Sequence, residues 1–375
     1  MKNKDFALTT LVENFQALYS LSVHTFGIIF FYQLFGNNAF LAFLPIILRY
    51  FFLAVLIPYS SWIAGKIGTS KSLLLAVFLY IFSSLPLLLF QYVPNNFLVL
   101  SWLLLFILGD LFYNPARIYL YGQNSTHNNR GTTFAFKHIT LTITKILTPL
   151  VSGYIIETFG FSRMIVLSAL VASLSIVPIM MLHNLKFNVM LQNHSWFTNP
   201  SVKKLTLVNS IGRFGDHAGQ TIWVLYLYFL FGQSTSNVGT LFTFTTAISI
   251  AFLYVFGLFL NKHNRIKSFK GTSLLYALTN ILRALPISPI ILDTCNKVVN
   301  QFRGEVAEVI NYDFMNDNVK NKDKDEMMVI REIGLNLNIV ISYLVGGLLL
   351  YFLDFQLTFI SLGVIMAALS LLVKD

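Results

Sequence analysis

The stretch Ser61-Trp62-Ile63-Ala64-Gly65-Lys66-Ile67-Gly68-Thr69-Ser70-Lys71-Ser72 lies between two long apolar segments, and adding 196 to each number gives Gly257-Leu258-Phe259-Leu260-Asn261-Lys262-His263-Asn264-Arg265-Ile266-Lys267-Ser268, again between apolar segments. Both lysines and the closing serine stay in register. The same offset aligns Tyr32-Gln33-Leu34-Phe35-Gly36 with Tyr228-Phe229-Leu230-Phe231-Gly232 without a gap, and Thr25 with Thr221. A short basic loop is used twice, half a chain apart, so the chain reads as a duplication.

Of 375 residues, 55% are hydrophobic and 11% charged, and mean hydropathy is +0.67. That is too little polar surface to cover a soluble domain of this size, so the expected fold class is an all-α polytopic membrane protein. A helix of about 20 apolar residues crosses the hydrocarbon core, which leaves room for about twelve spans joined by short loops. Helices are expected rather than a barrel because the apolar stretches run continuously, whereas membrane strands alternate apolar and polar residues. The net charge of +10 follows the loops, which points to membrane orientation and away from nucleic acid. A single cysteine, Cys295, excludes an internal disulfide framework and a multi-cysteine metal site.

The spans read as roughly 11–35, 39–64, 72–92, 95–121, 133–158 and 161–182, then 203–232, 236–260, 269–286, 287–316, 327–353 and 354–374. No short leader with a cleavage site precedes the first span, so Met1 to about Thr10 is expected to be a cytoplasmic tail. With that end inside, the cytoplasmic loops hold Lys66 and Lys71, Arg130, then Lys186, Lys203 and Lys204, then Lys262, Arg265, Lys267 and Lys270, then Lys320, Lys322 and Lys324. The opposite loops hold almost no basic residues besides Arg163, which is the positive-inside asymmetry. The polar connection 183–202 then separates a six-span half, 1–182, from a second, 203–375. His183 and His194 within it have no acidic or cysteine neighbour in sequence, so a metal site is not expected there.

Two six-span halves related by a parallel repeat resemble the major facilitator superfamily of secondary transporters over essentially the whole chain. The family's loop between spans two and three carries Gly, three residues, Asp, a basic residue, any residue, Gly, then basic residues. Lys66, Gly68 and Lys71 match it, while Ser61 replaces the first glycine and Gly65 the aspartate. The second copy keeps Gly257, Lys262 and Arg265, with Asn261 at the acidic position and Asn264 at the later glycine. The resemblance implies a gating role for this loop, with a latch that differs where both acids are missing. Asn114-Pro115-Ala116-Arg117, followed by Arg130-Gly131, is similar to the end of the family's span four. Thr148-Pro149-Leu150-Val151-Ser152-Gly153 is similar to the Gly-Pro segment of exporters, without its leading glycine.

Ions inside an apolar span cost about 2.5–3.5 kcal/mol each on insertion scales and therefore call for a partner, a wet cavity or a function. Span one sets Glu13, Gln16, Ser20 and His24 on one stripe; span seven places Asn209, Asp216 and Gln220 at corresponding positions and adds Arg213 and His217. Glu13 also reads as a residue at the cytoplasmic edge, and Arg213 with Asp216 as an internal ion pair. Gly212, Gly215 and Gly219 beside them suit close packing or a bend. Asp110 and Arg117 share a stripe of span four, too far apart for a direct bond. In span five a row of Thr140, Thr144, Thr148 and Ser152 suits helix packing, while Lys145 is deep enough to call for an acid from span one, four or ten. Span ten carries Asp293, Lys297, Arg303, Glu305 and Glu308, with Asp293 and Lys297 spaced as a favourable i, i+4 pair.

The candidate substrate or proton pathway is thus Glu13, His24, Asp110, Lys145, Arg213, Asp216, Gln220, Arg303, Glu305 and Glu308. No phosphate-binding loop and no His-Glu-x-x-His run occurs in the sequence. The chain is therefore not expected to be an enzyme or to hold a metal or other cofactor. The resemblance implies alternating-access transport of a small organic solute; the acids suggest proton coupling, and the span-five proline inclines toward efflux. Uptake of an anionic or zwitterionic nutrient, and a non-transporting sensing or lipid-handling protein, are the alternatives. The expected setting is a plasma (inner) membrane, as a monomer with both termini cytoplasmic.

Overall fold

The computed structural model describes residues 2–124, 130–188, 214–260, 265–318 and 324–372, with side chains for 4–121, 140–188, 214–252, 266–304, 306, 307, 310 and 329–372. Arg213 and Lys262 lie outside the described residues; Arg130, Gly257, Glu305 and Glu308 fall on helices but outside the described side chains.

The described residues form helices: α1 Lys2–Leu34, α2 Ala39–Ile67, α3 Thr69–Phe90, α4 Asn96–Asn124, α5 Arg130–Phe159, α6 Phe161–Ser173 and α7 Ile176–Met180, then α8 Asp216–Leu230, α9 Thr235–Leu260, α10 Arg265–Leu282, α11 Pro289–Asn318, α12 Lys324–Phe352 and α13 Phe355–Leu371. Helices α6 and α7 together make one span, so the fold is all-α with twelve spans. Six of these are long and apolar enough to cross a membrane by themselves, including Ala39–Ile67 and Phe161–Met180.

The repeat read from the sequence is also a repeat of the backbone. Gly36 and Asn37 take positive φ (63° and 66°), as do Gly232 and Gln233 (64° and 67°), 196 residues later. The Asn37 amide reaches back to the Tyr32 carbonyl at 2.9 Å, and the Gln233 amide to that of Tyr228 at 2.7 Å. Each pair closes its helix with the same left-handed cap, which the glycine enters without a Cβ penalty. The following helices start at Ala39 and Thr235, again 196 apart.

By compactness the chain divides into two units, one of Met1–Gly27, Phe52–Leu191 and Thr235–Thr240, the other of Ile28–Phe51, Gln192–Ser234 and Leu241–Asp375. In the first unit, the start of α9 sits on α5: Thr235 Oγ1 donates to the Gly153 carbonyl at 2.9 Å, and the Ser236 amide to Glu157 at 2.8 Å. A Cβ on Gly239 would overlap the Pro149 carbonyl, so this crossing needs glycine. In the second unit, the end of α1 and the start of α2 pack on α8 and α12. Gln33 donates to Tyr228 Oη at 2.8 Å, and Tyr50 stacks on Tyr343 with ring centroids 6.0 Å apart.

The span-five threonine row packs as its spacing suggests. Asn14 of α1 bonds both Thr140 and Thr144, and Ser22 bonds Ser152 at 2.6 Å. The segment Met1 to Thr10, expected as a tail, is instead the first turns of α1 from Lys2 onward. Asp5 is buried there with its carboxylate on His183 at 2.9 Å, and Phe6 packs edge-on against Tyr121. These partners lie more than a hundred residues away, which is why local composition does not reveal them.

Candidate functional site

In the first unit, Glu13 is the centre of a polar cluster. Arg117 of α4 donates to Glu13 Oε1 and Tyr121 to Oε2, each at 2.5 Å. A carboxylate engaged on both oxygens by a cation and a phenol is held in place. Asp110, two turns before Arg117 on α4, is buried and accepts from Tyr80 at 2.7 Å. The sequence stripe of α1 divides here. Gln16 turns to Ser175 and the Ala172 carbonyl, a packing role, and His24 is half-buried on the same helix.

Of the acids expected to meet Lys145, Glu305 and Glu308 of span ten lie outside the described side chains. No acid among the described residues pairs with it; its side chain is exposed in the middle of α5. It lies on the side of the helix opposite Ile143, Leu147, Leu150 and Tyr154, the exposed apolar row. Pro149, four residues on, has no amide to give the Lys145 carbonyl, so a backbone acceptor is freed at the same level. An ammonium at this depth is tolerable only toward water or a polar ligand.

The loop quoted first is a seat for the connection that follows α7. The Thr69 amide donates to the Leu185 carbonyl at 2.9 Å and the Phe187 amide to the Gly65 carbonyl at 3.3 Å. Asn184 bridges the Ser70 amide and the Ile67 carbonyl, at 3.1 Å each. Gly68 has φ 93°, and a Cβ there would overlap the Asn184 side chain; one on Gly65 would overlap the Phe187 carbonyl. An aspartate at position 65 is sterically excluded while the connection is seated, which accounts for the missing acid. Lys66 lies 3.4 Å above the Trp62 ring.

The second unit holds two further clusters. Helix α8 is preceded by a left-handed residue: Gly215 has φ 75°, its amide donates to Ser342 at 3.1 Å, and a Cβ would overlap Met366. Asp216 opens the helix and accepts from Asn300 at 2.6 Å and Tyr276 at 3.4 Å. Asn300 in turn accepts from Arg303 at 2.7 Å, and the Arg303 guanidinium lies 4.0 Å over the Tyr276 ring. Among the described residues no cation reaches ion-pair distance of Asp216.

The other cluster centres on Asp293, with Lys297 at 2.8 Å and Arg283 at 3.6 Å. Trp223 and Thr245 also donate to it, at 3.0 and 2.5 Å. Arg283 reaches Asn296, which accepts from Gln220 at 2.6 Å. The i, i+4 pair was legible in the sequence. Arg283 and Arg49 were not singled out, although a lone arginine inside an apolar run is itself a signal; Arg49 is buried, 5.2 Å from the centre of the Tyr50 ring. No group of three metal-ligating side chains occurs among the described residues.

No family model and no curated protein matches the sequence. Solved structures do match in fold. A POT family transporter in complex with 5-aminolevulinic acid superposes with TM-score 0.76 at 15% identity, covering 98% of this chain and 95% of the other. A structure described under substrate recognition in proton dependent oligopeptide transporters gives 0.73 at 12% identity, covering 100% and 98%. The nucleoside transporter NupG gives 0.68 at 14% identity, covering 98% and 97%. This chain has the major facilitator fold. Within that fold the clusters lie on α1, α4 and α5 in the first unit, and on α8, α10 and α11 in the second. These elements come from both copies of the duplication.

Proposed function

We propose that this protein is a proton-coupled secondary transporter of a small organic solute, working by alternating access of the halves 1–182 and 203–375. The observation that carries the coupling is Asp216. It is half-buried at the start of α8, and among the described residues it is bonded by neutral donors, whereas Glu13 and Asp293 are tied to cations. A carboxylate held by an arginine or lysine must break an ion pair to accept a proton, a cost that the described surroundings of Asp216 do not impose. Asp110, Glu305 and Glu308 remain proposed members of the pathway.

Lys145 is the proposed solute contact in the first unit. An exposed ammonium facing away from lipid suits a solute carrying a carboxylate, a group that 5-aminolevulinic acid also has. That favours, as a second reading, uptake of an anionic or zwitterionic nutrient over the efflux suggested by the Thr148-Pro149 segment, whose proline serves here as the seat of Gly239. The setting is a plasma membrane, with basic loops and termini cytoplasmic and the protein acting as a monomer.

The test begins with thermal unfolding of the purified chain against amino acids, dipeptides, nucleosides, sugars and lipophilic cations, because a ligand of the native state raises its stability. The stabilising solute is then followed in proteoliposomes with and without a pH gradient. Accumulation that follows the gradient is expected; movement indifferent to the gradient overturns the coupling. Stabilisation without any movement would reassign the chain as a sensing protein.

A further inference from the structure

The seating of the connection on the first basic loop gathers charges that make no ion pair among the described residues. Phe187 and Leu185 are hydrogen-bonded to Gly65 and Thr69 along the backbone, so Lys186 is brought beside Lys66 and Lys71. All three side chains are exposed, and none makes an ion pair among the described residues. Asp5, the acid carried to the same place, is turned to His183 at 2.9 Å. Glycine at position 65 keeps a carboxylate from forming between them, since any side chain there meets the Phe187 carbonyl.

The level of this patch in the bilayer follows from helix length. Helix α2 has 29 residues, which at about 1.5 Å each is roughly 43 Å. The hydrocarbon core is about 30 Å thick, so the last turns of α2 stand at headgroup depth. The side chains there fit that position: Tyr59, Trp62 and Ile63 are exposed, 68%, 43% and 39%, with the Lys66 ammonium over the Trp62 ring. Aromatic rings at the interface with lysines just beyond them are the chemistry that receives an anionic headgroup, the rings against the glycerol region and the ammonium groups on the phosphate.

We propose that Lys66 over Trp62, together with Lys71 and with Lys186 of the docked connection, forms a binding site for the phosphate headgroup of an anionic phospholipid. The lipid supplies the negative charge that the loop itself lacks, and by bridging loop and connection it holds the clasp together. This site is separate from the solute pathway and does not depend on what the protein carries.

The experiment uses the full chain purified in neutral detergent. Phosphatidylglycerol, phosphatidylcholine or glycerol phosphate is added, retained lipid is counted by native mass spectrometry, and thermal unfolding is followed in parallel. Phosphatidylglycerol is expected to be retained and to raise the unfolding temperature, with phosphatidylcholine and glycerol phosphate inactive. The variant Lys66→Gln/Lys71→Gln/Lys186→Gln should lose most of the retained lipid and the shift. The matching lysine-to-arginine triple, which keeps the charge, and Lys267→Gln/Lys270→Gln, which alters the other copy of the loop, should keep both. Equal retention of phosphatidylglycerol by the glutamine triple overturns the proposal. A shift from glycerol phosphate equal to that from the lipid also overturns it, in favour of a site for free phosphate esters.

Discussion

The Asn300 amide donates to the Asp216 carboxylate at 2.6 Å while its carbonyl accepts from Arg303 at 2.7 Å. One asparagine thus links an acid to a guanidinium without the two meeting directly. On the proposed coupling, a change at Asp216 would reach Arg303 on the same helix, α11, through Asn300. The acid also sits next to the left-handed Gly215 at the start of α8.

Replacing Asp216 with Asn keeps the size of the side chain and its capacity to bond Asn300, but removes the titratable proton. Accumulation driven by a pH gradient should fall by about an order of magnitude, as expected when a proton relay loses its carboxyl group. Exchange of labelled for unlabelled solute, which needs no net proton movement, should persist. Proteoliposome uptake measured both ways checks this; gradient-driven accumulation at the wild-type level would remove Asp216 from the coupling.

The Asp293 cluster should respond asymmetrically. Asp293→Asn leaves Arg283 and Lys297 facing a neutral amide in a fully buried place. Breaking a buried pair in that way costs about 3–5 kcal/mol, so little folded protein should be recovered from membranes. Lys297→Met removes one cation of two and leaves Arg283 on the carboxylate, a milder loss. Size-exclusion profiles and unfolding temperatures of the two variants should rank them in that order, and the reverse order would show that Arg283 alone does not hold the buried carboxylate.

The duplication, the helical class and the threonine packing row were legible because each depends on residues close in sequence or on a fixed repeat distance. Tyr32 to Gly36 and Tyr228 to Gly232 make the same cap because cap geometry is local. The Asp293–Lys297 pair was legible for the same reason, being one turn of one helix. Arg283 joining that pair from α10, and Asn300 of α11 donating to Asp216, depend on how helices are arranged side by side, which spacing within one segment does not determine. Gly65 and Gly68 carried a readable pattern whose cause was invisible: the crowding comes from Asn184 and Phe187, more than a hundred positions away. Lys145 could be placed on its face by periodicity, but that an acid would meet it could not be derived from one helix.

Gly68→Ala should disturb the clasp in a way that can be reversed. At φ 93° with Asn184 against it, an added methyl is both strained and obstructed, a cost of about 1–3 kcal/mol. Asn184→Ala removes the obstruction but also the bonds to Ser70 and Ile67. The double variant should therefore be less destabilised than the sum of the two single variants, by coupling of the size seen for contacting residues. Unfolding temperatures of the four proteins in detergent complete the cycle. Strict additivity would mean that the alanine at 68 acts through backbone strain alone and that the connection is not seated on it in solution.

Lys145→Gln separates recognition from stability. The side chain is exposed and makes no ion pair among the described residues, so its replacement should leave the unfolding temperature of the ligand-free protein unchanged. A hydrogen bond from an ammonium to a carboxylate contributes about 1.5–3 kcal/mol, which corresponds to an affinity loss of roughly tenfold to a hundredfold. That loss should appear for a carboxylate solute and be absent for its neutral amide. The decisive comparison is the dissociation constant of each member of such an acid and amide pair for both proteins. Equal losses for acid and amide would mean that Lys145 shapes the pathway without touching the charged group. Unchanged affinity for both would place the solute elsewhere and return Lys145 to a role in hydrating the middle of α5.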